Sequence, residues 1–103
     1  MFNIEKCNTF LNNLINKKVT VRWQETDFNN PNPHQDRFNI IKEMKITSLR
    51  LREVDYYLEL NGDFINLNPG CYDRIDFDCE NTKIIKFKYE KGSISTTLSF
   101  ELI

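Results

Sequence analysis

The sequence predicts a mainly β protein of the α+β type. An N-terminal amphipathic helix should be followed by an antiparallel meander of six or seven strands, forming a small barrel or a strongly curved sheet. Three observations carry this reading. Apolar residues recur at helical spacing near the N-terminus and at period 2 thereafter. The period-2 runs are separated by turn dipeptides, Asn61-Gly62 and Lys91-Gly92 among them. Registers counted across those turns set apolar residues against apolar ones. A sheet with that many strands tends to curl or close.

The helix is expected over 4–16. Ile4, Cys7, Leu11 and Leu14 form one stripe, widened by Phe10 and Ile15. Asn3 is a plausible N-cap, and Glu5 sits in the first turn, where the helix dipole favours negative charge. The asparagines of this segment are poor helix formers, so packing must hold it. Its apolar stripe should plug one end of the barrel or lie in the concave face.

Strands are expected at about 19–25, 38–47, 49–53, 56–61, 63–68, 74–80, 84–91 and 93–102. In the first, Val19, Val21 and Trp23 share one face. "FNIIKEMKI" fits strand or helix. As a strand it puts Phe38, Ile40, Met44 and Ile46 inward, and this reading is preferred because "SLRLRE" continues the alternation. Inward parity changes from even to odd near Thr47 and Ser48, which predicts a bulge or bend there.

Hairpin registers follow by arithmetic. A type I′ turn at Asn61-Gly62 pairs Leu58 with Ile65, Glu59 with Phe64 and Tyr56 with Leu67. A three-residue loop at 81–83 pairs Phe77 with Phe87, Cys79 with Ile85 and Ile75 with Tyr89, and sets Asp76 and Asp78 across from Lys88 and Lys86. A two-residue turn at Lys91-Gly92 would pair Tyr89 with Ile94, Phe87 with Thr96 and Ile85 with Leu98.

The 103 residues are expected to form a single domain, 1–103, large enough to hold a core without staples. A net charge of −1 gives no global attraction to nucleic acid or anionic membranes. The N-terminal residues show no basic and apolar signal pattern, and no run approaches the roughly 18 apolar residues of a membrane span. Three cysteines without an export signal point to free thiols in the cytoplasm.

The stretch "TDFNNPNPHQDRF" at 26–38 contains the single histidine, His34, with Asp27 and Asp36. Their spacing matches no ligand pattern, and Pro31 and Pro33 keep the backbone extended. Cys7, Cys71, Cys79 and His34 could in number complete a zinc site, but no two cysteines have the C-x₂₋₄-C spacing. Asp73, Asp76, Asp78 and Glu80 read as a solvated stripe opposite lysines rather than a hydrolytic pair. No catalytic residue, cofactor or metal is therefore expected. Long polar loops on β scaffolds are commonly binding loops, which selects Asp27, Asn29, Asn30, His34 and Asp36 as partner contacts. Tyr57, Phe64 and Tyr72 fall on the polar-parity face and join them, because aromatic residues are enriched in interfaces.

The leading functional expectation is a small non-enzymatic cytoplasmic protein-binding module. It would be inhibitor-, immunity- or adaptor-like, of the kind mobile elements often encode, and would act by occupying a partner's surface. One alternative is a small-barrel binder of single-stranded nucleic acid, using Arg22, Lys42, Lys45, Arg50 and Arg52 with Trp23. Another is a barrel that holds a small apolar ligand.

Overall fold

Asn3 caps the helix as its side chain allows, its Oδ1 accepting from the Lys6 backbone N–H at 3.1 Å. The computed structural model describes residues 3–29, 38–80 and 83–103, with the backbone alone at 38, 79 and 80. Helix α1 covers Ile4–Asn12 and is shorter than the predicted 4–16. Beyond Asn12 the backbone donates three residues back, Asn13 to Phe10 and Leu14 to Leu11. It then reaches φ 67 at Asn16. Consecutive asparagines at 12 and 13 favour such an ending over another α-turn. Leu14 remains fully buried, so the predicted stripe outlasts the helix.

α1 packs on β3 rather than plugging a barrel end. Asn8 explains part of this docking. Its Nδ2 donates to the Leu51 carbonyl at 2.9 Å, and its Oδ1 accepts from the Leu51 N–H at 2.7 Å. One asparagine, a weak helix former, thus bonds the edge of β3 as a neighbouring strand would.

Among the described residues eight strands follow: β1 (Lys18–Asp27), β2 (Phe38–Lys45), β3 (Leu49–Leu51), β4 (Tyr57–Leu60), β5 (Asp63–Asn66), β6 (Arg74–Glu80), β7 (Ile84–Lys91) and β8 (Ile94–Leu102). "FNIIKEMK" is strand, not helix. The order is not the expected meander. One sheet runs β2-β1-β8-β7-β6 and a second runs β3-β4-β5. Among the described residues no closed barrel forms: the chain leaves the first sheet after β2 and re-enters it at β6. The parity change at Thr47 and Ser48 marks this departure and is a bend between sheets. A 3₁₀ turn at Pro69–Cys71 precedes the return. The last strand pairs with the first from Val19 with Leu102 to Asp27 with Ile94.

Both sheets and the helix share one core. Leu11 and Leu14, Leu51 and Leu58, and Phe87, Leu98 and Phe100 are all fully buried. Each such side chain contributes about 1.5–3 kcal/mol by leaving water. Met44 on β2 and Ile46 just past its end pack inward as predicted, but Ile40 is 54% exposed. It lies on an edge strand, opposite Trp23 and beyond the covered part of the sheet.

Two hairpin registers match the arithmetic. Leu58 pairs with Ile65 and Glu59 with Phe64, with Asn61 and Gly62 at φ 48 and 90. Leu67 donates to the Tyr56 carbonyl at 3.0 Å, continuing that pairing past the strand ends. Phe77 pairs with Phe87, Cys79 with Ile85 and Ile75 with Tyr89. Asp76 lies across from Lys88, yet ion pairs also run along the strands, Arg74 to Asp76 at 2.7 Å and Lys88 to Glu90 at 3.6 Å.

The third register is a correction. Lys91 pairs with Ile94, Tyr89 with Thr96 and Phe87 with Leu98, so the turn is Gly92-Ser93 and not Lys91-Gly92. Gly92 has φ 59 and occupies the first central turn position, where type II′ geometry requires glycine. The shift is two residues, so every side chain keeps its expected face.

Candidate functional site

The inner face of the five-stranded sheet changes character from one end to the other. Next to the helix its rows are apolar: Val21, Phe100 and Ile85, then Trp23, Leu98, Phe87 and Phe77. The following row is Glu25, Thr96, Tyr89 and Ile75, and the last described one is Asp27, Ile94 and Lys91. A cleft of about 410 Å3 opens over these polar rows, with Trp23, Glu25, Tyr89 and Thr96 on its surface and Tyr72 as a wall.

Tyr72 is fixed from two sides. Its hydroxyl donates to the Asn66 carbonyl at 2.8 Å, and its ring lies 4.9 Å from that of Tyr89 at an interplanar angle of 54°. A second cleft of about 420 Å3, lined by Tyr56, Pro69 and Arg74, lies on its other flank. Burial pushes the Tyr72 phenol up from its ordinary value, and the neighbouring Cys71 and Tyr57 add to the shift. Tyr89 is only 6% exposed, and burial drives its phenol up strongly. Tyr72 and Glu25 act in the same sense, while the nearby Trp23 indole acts in the opposite one. Both phenols are therefore neutral at ordinary pH.

Two carboxylates lock the adjoining turn. Asp27 Oδ1 accepts from the Ser93 hydroxyl at 2.8 Å and from the Asn29 N–H at 3.0 Å. Asp73 Oδ2 accepts from the Gly92 N–H at 2.7 Å. Of the predicted contact residues, Asp27, Asn29 and Tyr72 thus come to one end of the molecule, and Tyr57 lies near enough to act on Tyr72. Phe64 stands apart on β5, 54% exposed, with the Arg52 guanidinium carbon 5.5 Å from its ring centroid. Asn30, His34 and Asp36 lie outside the described residues.

Sequence reasoning missed Glu25, Tyr89 and Thr96 as one site. The signal was present as inward parity at Glu25, but the two-residue register error set Tyr89 against Ile94 and hid the polar row. The basic residues are divided. Arg22 and Lys45 share one face of the first sheet, Lys42 lies on the other, and Arg50 and Arg52 belong to the β3 segment of the second. Cys7 is buried and Cys71 exposed, both unbridged. Among the described residues no group of three His, Cys, Asp or Glu side chains could hold a metal ion, and no helix is long and apolar enough to cross a membrane.

Comparison of the chain with family models, curated proteins and solved structures finds no match.

Proposed function

We propose that this chain is a non-enzymatic protein-binding module that engages its partner through the edge strand β2. The observation that carries this reading is the pair Ile40 and Ile41, 54% and 55% exposed on opposite faces of a strand at the end of its sheet. Among the described residues β2 is bonded only to β1. Its outer edge offers a row of backbone donors and acceptors, which an extended segment of another protein satisfies by adding a strand. The two isoleucines then grip that segment from both sheet faces. Lys42 and Lys45 guard the edge against indiscriminate pairing and favour a partner strand with acidic residues. Phe28, 63% exposed just past the end of β1, extends the apolar contact. Inhibitor, immunity or adaptor action are ways in which such surface occupation operates. The exposed, unbridged thiol of Cys71 suits a reducing cytoplasm.

The test is capture of partners from extracts of the source cell, with mass-spectrometric identification, by the parent chain and by an Ile40→Lys/Ile41→Lys variant. Both sites are exposed, so the variant should melt within a few degrees of the parent. It should lose about tenfold or more in affinity for the partner. A folded variant that captures the same partner equally well would remove β2 from the interface.

A further inference from the structure

Trp23, Tyr72 and Tyr89 bring three aromatic rings to one cleft of about 410 Å3, and Glu25 adds a carboxylate to its lining. We propose that this cleft binds a small organic cation of the alkylammonium class, held by the ring faces with the Glu25 carboxylate as its charge partner. Aromatic faces are the negative part of the ring quadrupole, and tryptophan attracts cations most strongly. The volume lies at the small end of ligand pockets, which suits a compact head group.

The Glu25 carboxylate gives the sign: it is one of the groups that hold the Tyr89 phenol protonated, and a negative neighbour that resists an anion favours a cation. Burial, the larger cause, opposes a charge of either sign, and aromatic faces offset that cost for a cation. A pure hydrocarbon would offer Glu25 and the Thr96 hydroxyl, both on the cleft lining, no polar or charged group. Lys91 also lines the cleft, but its side chain is exposed, and its long stem lets the ammonium turn to water.

The chain contains one tryptophan, and it lines the cleft, so its emission reports occupancy directly. The probes are choline and 3,3-dimethyl-1-butanol, which has the same shape without the charge. Choline should change the emission saturably and bind about tenfold more tightly than the alcohol. Glu25→Gln should weaken choline by about fivefold, and Lys91→Gln should tighten it by about twofold. Tyr72→Leu should weaken it further; if that variant loses its thermal transition, the Lys91 and Glu25 variants carry the test. The proposal fails if choline gives no saturable response up to about 50 mM. It also fails if the alcohol binds as well as choline, or if choline affinity is unmoved by both the Glu25 and Lys91 changes.

Discussion

The side-chain oxygen of Asn61 accepts from the backbone N–H of Thr47 at 2.7 Å. It also accepts from the Ser48 N–H at 3.2 Å, while the amide nitrogen donates to the Lys45 carbonyl at 2.9 Å. One residue at the tip of the β4–β5 hairpin therefore ties down the bend by which the chain passes between sheets. It does so at φ 48, a conformation asparagine tolerates better than most residues. Asn61→Gly keeps the backbone conformation and removes the amide. It should lower stability by about 1–2 kcal/mol in urea unfolding, toward the low end because the site is exposed. Asn61→Asp keeps the acceptor and loses the donor, so it should fall between parent and glycine variant. Equal midpoints for all three would show that the amide does not hold the bend.

The two turn glycines separate backbone strain from crowding. Gly62 and Gly92 have φ 90 and 59, and a Cβ added at either meets nothing within 4 Å. Alanine at either position should therefore cost about 1–2 kcal/mol through left-handed backbone strain alone. Gly62→Val should cost more, since β-branching narrows the backbone further. A Gly92→Ala variant with an unchanged thermal midpoint would contradict the Gly92-Ser93 turn.

Most local structure could be read from residue order. The N-cap at Asn3, the Asn61-Gly62 turn and the Phe77–Phe87 register are decided by neighbours a few positions apart, and the structure has them as expected. The barrel was not there to be read. Val19 and Leu102 are paired, and nothing within either segment specifies the other. The helix end failed because Asn12 and Asn13 weigh against an apolar stripe that continues to Leu14, and stripe counting does not see that conflict. The cleft depended on the Tyr89–Thr96 pairing, so one misplaced turn concealed it.

Asn8 sets helix propensity against tertiary bonding. Alanine is the better helix former by about 0.5 kcal/mol. Asn8→Ala nevertheless removes both hydrogen bonds to Leu51, in a part-buried site. Losing them should cost about 1–3 kcal/mol, so the net effect should be destabilising. Amide exchange at Leu51 should accelerate in the variant. A more stable Asn8→Ala protein would mean that the helix docks on β3 by apolar contact alone.

Alkaline pH should unfold the chain through Tyr89. An unfolded phenol ionises near pH 10, while burial, Tyr72 and Glu25 hold the Tyr89 phenol protonated to higher pH in the fold. The sign follows from proton binding. Below about pH 10 both states keep the proton, and the stability linked to this group is fully present. Above it the unfolded chain releases the proton and the native one does not, so stability falls as pH rises toward the folded value. The slope approaches about 1.4 kcal/mol per pH unit for one such phenol. Tyr72 is raised in the same direction and adds to the loss. Lysine titration affects the parent and a Tyr89→Phe variant alike, so their difference isolates Tyr89. At pH 8 the variant should be the less stable of the two, having lost the contact with the Trp23 indole. Between about pH 10 and 11 its urea midpoint should decline more slowly, and the gap should close. Parallel declines in parent and variant would show that Tyr89 ionises in the fold as freely as in water.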